Sequence, residues 1–187
     1  MPATRHPEPR MPTTTMRAFA VPPPPGHAWL TLLVLALLPL LILLPLGAVP
    51  AVLGSPAVML GLALPLLLVG LLGLTMRRRE VRVGEGRIEV RASFYRKRLA
   101  VGELDLGGAR IVDLREHTEL RPVLKTNGFS LPGFHAGHFR IRRGLEKAFC
   151  LISGTGRVLW IPVRDGSHLL LGVERPQELL ARLREEA

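Results

Sequence analysis

The chain has 187 residues and a formal net charge of +10, from 25 Lys and Arg against 15 Asp and Glu. This length allows about one ordinary globular domain besides any membrane segment. The single cysteine, Cys150, excludes an internal disulfide, and its apolar neighbours indicate a buried thiol that packs as a small hydrophobic side chain.

Residues 1–27 precede the first long apolar run. Their first fifteen positions are rich in Pro, Thr and Arg and show no hydrophobic periodicity. Such a composition is typical of disorder, so we expect residues 1–27 to form a disordered cytoplasmic tail. Met1, Met11 and Met16 are each a possible start of the natural protein.

Residues 28–76 contain no Asp, Glu, Lys or Arg and are dominated by Leu. Because a bilayer-spanning helix needs about 20 apolar residues, the run is long enough for two spans. Pro and Gly between Pro50 and Pro56 favour a tight loop. We therefore predict a transmembrane α-hairpin over residues 28–76, with spans at 28–49 and 57–76. The spans contain no ionisable group, which argues against an ion or proton pathway.

The flanking charges predict the orientation of this hairpin. Arg77, Arg78 and Arg79 follow the second span directly, whereas the connecting loop carries no charge. Cytoplasmic flanks of membrane spans are enriched in Lys and Arg. We expect a multi-pass protein of the bacterial inner membrane with cytoplasmic N- and C-termini.

Residues 77–187 change to a period-two pattern that predicts a cytosolic domain of short strands. Residues 81–90 indicate two strands joined at a glycine-bearing hairpin, and residues 94–99 indicate a third. Pro122 suggests that the strand containing it lies at a sheet edge. Later apolar segments bring the total to about seven antiparallel strands. Residues 176–185 predict an amphipathic C-terminal helix, since Leu recurs at helical spacing after a proline.

The domain resembles the bacterial pleckstrin-homology (PH-like) domains found behind two N-terminal transmembrane helices. The resemblance covers residues 81–186 and rests on VGEGRIEV at 83–90, YRKR at 95–98, TNG at 126–128, LPG at 131–133, GHF at 137–139 and RDG at 164–166. It implies a transmembrane α-hairpin plus an α+β domain, a small antiparallel barrel or sandwich capped by one helix. It also implies binding or assembly rather than chemistry, with homo-oligomers among the possible assemblies.

Two basic clusters are candidate sites for anionic lipid headgroups. Arg77, Arg78 and Arg79 lie at the predicted membrane surface, where each basic residue gains roughly 1 kcal/mol near anionic lipid. The cluster Arg96, Lys97 and Arg98 lies on a predicted strand. The alternatives are that the first cluster only fixes topology and that the second only protects a strand edge.

Residues 126–137 predict a long loop that is a second candidate site, because loops of this length are often functional. The residues singled out there are Asn127, Gly128, Phe129, Pro132, Gly133 and Phe134. Their apolar side chains would either dock a partner or fold back to close one end of the domain.

No segment carries a catalytic, cofactor or metal signature. The glycine runs at 84–86 and 154–156 lie between strands rather than before a helix, and His135 and His138 have no nearby third ligand. We therefore predict a non-enzymatic protein without cofactor that binds a protein or anionic lipid at the membrane. Alternatives are a membrane-tethered enzyme subunit that uses residues 127–137 and nucleic-acid binding by the basic domain. Nucleic acid is disfavoured by the scarcity of aromatic side chains for base stacking.

Overall fold

The computed structural model describes residues 16–43, 56–76, 79–154 and 156–187. Arg77, Arg78 and most of the predicted loop between Pro50 and Pro56 lie outside the described residues. The predictions for those positions therefore stay predictions.

The first sheet has four antiparallel strands in the order β1-β2-β3-β4. Its strands are β1 (Arg17–Ala20), β2 (Arg79–Gly84), β3 (Arg87–Ala92) and β4 (Tyr95–Ala100). The β2–β3 turn has positive φ at both central residues, 56° at Glu85 and 66° at Gly86. This geometry matches the twist of a two-residue hairpin, so the hairpin predicted there is confirmed.

The second sheet has six strands in the order β5-β9-β10-β8-β7-β6. They are β5 (Arg110–Asp113), β6 (Pro122–Leu131), β7 (Phe134–Ile141), β8 (Lys147–Ser153), β9 (Arg157–Pro162) and β10 (His168–Leu171). Strand β10 runs parallel to β8, whereas the other pairs are antiparallel. The edge position predicted for Pro122 is confirmed, because β6 is an outer strand of this sheet.

Among the residues that the structure describes, three α-helices accompany the sheets: α1 (Gly26–Leu43), α2 (Pro56–Met76) and α3 (Pro176–Glu185). Helices α1 and α2 pack closely, since a Cβ built at Gly73 would lie 2.8 Å from Cζ3 of Trp29. The C-terminal helix was predicted correctly. It buries Leu179 and Leu183 completely and keeps its charged residues on the other side.

The predicted fold class is wrong. The described residues form a mainly β protein with sheets of four and six strands rather than a transmembrane α-hairpin before a seven-stranded antiparallel domain. Among the described helices, one segment, Met59–Met76, is long and apolar enough to cross a membrane. The apolar segment of α1, Gly26–Leu38, is shorter.

The tail predicted over residues 1–27 also differs from the structure where the structure describes it. Residues 17–20 form β1, which pairs with β2 in register from Arg17 opposite Val83 to Ala20 opposite Glu80. Phe19 lies within the core at 5 % exposure. The chain therefore contributes a strand to the first sheet before α1 and returns to the same sheet after α2.

The main core lies between the two sheets and beneath α3. Each strand alternates between faces, so Val81, Val83, Ile88 and Val90 point inward from the first sheet. They meet Phe134 and other inward residues of the second sheet. A smaller core on the opposite face of the second sheet contains Val112, Leu120, Phe139, Ile141, Cys150 and Trp160. Burial raises the pKa of the Cys150 thiol, which identifies it as a packing residue.

The β domain has a helix-proximal end and a helix-distal end, defined by where α1 and α2 join it. At the helix-proximal end, β2 begins at Arg79 shortly after α2 ends at Met76. The Ser153 hydroxyl at the end of β8 donates a hydrogen bond of 2.9 Å to the carbonyl of Pro23, just before α1. The β7–β8 turn and the start of β8 lie at the helix-distal end.

Candidate functional site

The structure divides the predicted cluster Arg96, Lys97 and Arg98 between two faces of β4. Lys97 lies opposite Val90, an inward residue, and is half-buried. Arg96 and Arg98 alternate with it and are exposed on the outer face of the first sheet. The three neighbours along the chain therefore belong to two different surfaces.

The outer arginines converge on one buried carboxylate, that of Glu89 on β3. Glu89 is only 6 % exposed. Its Oε1 accepts from Nε of Arg96 at 2.5 Å and from Nε of Arg91 at 2.8 Å. Nε of Arg98 lies 3.5 Å from Oε2. The hydrogen bond from Arg96 is the main cause that lowers the pKa of Glu89 from 4.5 to about 2.

Acid titration will show how much this carboxylate stabilises the fold. Because the pKa of Glu89 is lower in the folded chain, its contribution is complete above pH 4.5 and is lost as the pH falls toward 2. Glu89→Gln is expected to lower the free energy of unfolding at neutral pH by about 1–3 kcal/mol. It should also make the free energy of unfolding depend less on pH in the acid range. Denaturant unfolding at several pH values measures both effects. The exposed Glu116→Gln is the matched control and should retain the wild-type profile; a wild-type profile for Glu89→Gln would contradict the assignment.

The outer face of the first sheet is a basic surface. Arg82, Arg87, Arg91, Arg96 and Arg98 share this face with Glu80 and Glu89. Five arginines against two glutamates leave a net positive charge. Since Glu89 bridges several of the arginines, the surface holds them at fixed positions while part of their charge stays unneutralised.

The β3–β4 turn adds an exposed aromatic ring at the helix-proximal end. Ala92 and Tyr95 close this turn, and Ala92 pairs with Arg79, the first residue of β2. Phe94 lies at the tip with 61 % of its surface exposed. Arg91 and Arg96 face each other one residue into the strands from the turn. We call Arg91, Phe94 and Arg96 the turn site.

Arg79, the described member of the first predicted cluster, links the helices to the sheet. Its Nη1 donates to the Met76 carbonyl at 2.8 Å and its Nε donates to the Val21 carbonyl at 3.2 Å. The first contact satisfies a free carbonyl at the C-terminal end of α2. A cation at this position also interacts favourably with the negative end of the helix dipole. Arg79 is thus a structural residue at the junction, and two of its guanidinium nitrogens already donate to backbone carbonyls.

The predicted long loop at residues 126–137 is wrong. Asn127, Gly128 and Phe129 lie on β6, and a tight turn at Pro132 and Gly133 connects β6 to β7. Phe134 has no exposed surface and belongs to the main core, so it cannot dock a partner. These residues form a hairpin, and the structure does not bring them together with the basic clusters as one site.

Two glycines in this hairpin have a packing role. Gly128 lies opposite Gly137, and a Cβ on Gly128 would come within 2.9 Å of both the Ala136 carbonyl and the Phe139 ring. Gly137 has φ of 112°, a conformation that L side chains rarely adopt. The turn residue Gly133 contacts the start of α1, since its Cβ would lie 2.6 Å from Nε2 of His27. Close approach therefore explains these glycines.

The sequence analysis missed Phe94 as a site residue because it assigned that residue to a strand. The signal was present: two adjacent aromatic residues, Phe94 and Tyr95, lie between two arginines, beside a small serine, at the point where the alternation is interrupted. Within the described residues, no group of three or more His, Cys, Asp or Glu side chains has the geometry to hold a metal ion.

No protein-family model, no curated protein and no solved structure matches this chain. The resemblance to bacterial PH-like domains therefore stays a prediction.

Proposed function

We propose that this chain is a membrane-associated binding protein whose β domain contacts anionic lipid through the turn site. The observation that carries this proposal is the position of Phe94. Its exposed ring lies at the end of the sheet where α2 enters, next to two arginines held by one glutamate. An exposed aromatic flanked by cations suits the boundary between headgroups and acyl chains.

Helix α2 supplies the membrane contact in this proposal. Its segment Met59–Met76 has the length and apolar composition to cross a bilayer. One exposed stripe of leucines repeats at helical spacing along it, at Leu60, Leu64, Leu67, Leu71 and Leu74. A stripe of this size is costly in water, and lipid is the occupant that its composition favours. Because β2 begins shortly after α2 ends, the turn site would then lie close to the headgroups.

The magnitudes indicate that Phe94 contributes more than the charges. Burying a phenylalanine side chain in an apolar phase is worth about 1.5–3 kcal/mol. A basic residue near an anionic surface gains about 1 kcal/mol, and Arg91 and Arg96 share the negative charge of Glu89. The turn should therefore contact any bilayer that α2 enters, and anionic lipid should strengthen that contact to a smaller degree.

Hydrogen exchange of the full chain in nanodiscs tests this proposal. We expect the amides of residues 92–96 to exchange more slowly in discs containing an anionic phospholipid than in discs of zwitterionic lipid, because the contact excludes water from the turn. The helix-distal turn at residues 142–146 is the internal control and should exchange equally in both discs.

The variant Phe94→Ser should lose most of the protection at residues 92–96 while the core strands retain theirs. Equal exchange of the turn in both discs and in the variant would contradict lipid contact at this site. Protection that survives Phe94→Ser but disappears in Arg91→Gln would contradict the ranking of the two contributions.

A further inference from the structure

A second site lies at the helix-distal end of the β domain. A cavity of about 340 Å³ opens between β4, β7, the start of β8 and the β9–β10 turn. Lys97, Arg140 and Lys147 line it together with one acid, Asp165. This volume lies in the range of small-molecule sites, about 300–1,000 Å³.

The lysines of the chain are unevenly placed. Basic residues are overwhelmingly Arg, and the sequence contains only three Lys, at positions 97, 125 and 147. Two of the three line this cavity although 50 residues separate them along the chain. Among the described residues, neither Lys97 nor Lys147 forms a salt bridge with a carboxylate. Both amines therefore remain available for a ligand.

Asp165 is held by its own turn rather than by either lysine. Its Oδ1 accepts from the backbone N–H of Ser167 at 2.8 Å. Hydrogen bonds from Ser167 are the main cause that lowers the pKa of Asp165, and the nearby charges of Lys97 and Lys147 lower it further. All three residues line the cavity, so an anionic group bound there would meet the same two cations.

Two histidines in the lining of the cavity have a buried ring nitrogen. His168 is 8 % exposed, and its Nε2 lies 2.7 Å from Oε2 of Glu146. Its Nδ1 is buried and has no hydrogen-bond partner among the described residues, and the same is true of Nδ1 of His138. Both nitrogens are shielded from the cavity itself, so the charged side chains rather than these atoms would contact a ligand.

One wall of the cavity is aromatic. The ring of Phe149 lies 5.0 Å from that of His138, centroid to centroid, at an interplanar angle of 79°. The ring of Tyr95, which is outside the cavity lining, lies 6.2 Å from the same histidine, centroid to centroid. Phe149 is 3 % exposed and belongs to the main core, so it offers the cavity only part of its ring. Cations and a small aromatic surface in one lining suit a ligand that has an anionic group and a flat apolar part.

We propose that this cavity binds a small phosphorylated molecule, with its phosphate between Lys97 and Lys147 and a ring against Phe149. A lipid headgroup carries the same phosphate, but the cavity is poorly placed for it. The start of β8 is six residues from Ser153, which contacts the segment before α1. At about 3.3 Å per residue, the two ends of β8 are roughly 20 Å apart. Lys97 follows Arg96 of the turn site directly, but Lys147 lies at the far end of β8, and a phosphate between the two lysines therefore favours a soluble ligand.

Isothermal titration of the full chain in nanodiscs of zwitterionic lipid tests this site without anionic headgroups. The probes are phenyl phosphate and inorganic phosphate. We expect saturable binding of phenyl phosphate, about tenfold tighter than that of inorganic phosphate, because the ring buries apolar surface. Absence of saturable binding would overturn the site, and equal affinities would contradict the role of the aromatic wall.

Three matched variants locate the binding. Lys97→Gln and Lys147→Gln should each weaken phenyl phosphate by about tenfold, as expected for loss of a charge-assisted contact. Lys125→Gln removes the remaining lysine, which is exposed outside the cavity, and should leave the affinity unchanged. Lys147 is itself exposed, so Lys147→Gln should fold. Lys147→Arg keeps the positive charge and should retain binding. Equal weakening by all three Gln variants would overturn the assignment.

This site does not depend on the proposed function. Lys97→Gln and Lys147→Gln should retain the anionic-lipid effect on exchange at residues 92–96. Loss of that effect in both variants would instead assign the cavity to lipid and overturn the soluble ligand.

Discussion

Replacing Phe134 by alanine is expected to lower the free energy of unfolding by about 3–5 kcal/mol, the largest loss that we predict for a single substitution. The side chain has no exposed surface and lies in the main core between the two sheets. Its ring also makes an edge contact with Phe129 at 6.1 Å between centroids. Because the residue begins β7 beside a tight turn, the strands cannot close over the cavity that the variant would create.

Phe94→Ala is the matched control for this substitution. The same side chain is removed, but the ring of Phe94 is 61 % exposed at a turn. Surface substitutions of this kind change stability by less than about 0.5 kcal/mol. Denaturant unfolding of both variants as full chains in one detergent provides the comparison. Equal losses for the two phenylalanines would contradict the assignment of one to the core and the other to a surface.

Local patterns predicted the first sheet well. The alternation in residues 81–90 is interrupted only by Gly84, Glu85 and Gly86, so strand, turn and strand follow from neighbours along the chain. The C-terminal helix has the same local basis. In contrast, β1 pairs with a strand some 60 residues later, and no local signal indicates this partner.

The central part of the β6–β7 hairpin, residues 126–137, was predicted as a loop because Gly and Pro usually interrupt strands. Here Gly128 and Gly137 face each other and allow two strands to approach closely. The proline and glycine at 132 and 133 form only the tight turn. Composition alone does not distinguish a glycine needed for close strand packing from one that ends a strand.

Part of the candidate site could be predicted from the alternation along β4. A period of two separates Lys97 from Arg96 and Arg98, so one face for the lysine and another for the arginines follows from the sequence. The position of Lys97 and Lys147 in the lining of one cavity could not be predicted. It depends on the packing of the first sheet against the helix-distal end of β8, which the order of residues does not reveal.

The uncharged run at residues 28–76 predicted two spans because composition alone was considered. The structure joins α1 and α2 to the first sheet at both ends, and Met59–Met76 is a segment of the described helices that is long and apolar enough to cross a bilayer. Junction contacts such as those of Arg79 therefore fix where the β domain lies relative to α2. That position is what brings Phe94 toward the lipid in our proposal.

The depth of residue 94 relative to the bilayer tests this proposal most directly. A spin label on Phe94→Cys can be attached selectively, because Cys150 is buried and its pKa is raised. The control label is on Leu145→Cys, an exposed apolar residue in the helix-distal β7–β8 turn. Power saturation in reconstituted bilayers compares collisions with apolar oxygen and with a polar nickel complex.

We expect the label at residue 94 to collide mainly with oxygen, and more so in anionic bilayers, whereas the label at residue 145 should collide mainly with the nickel complex. Equal nickel accessibility of the two labels, in bilayers that retain the protein, would contradict lipid contact at the turn site.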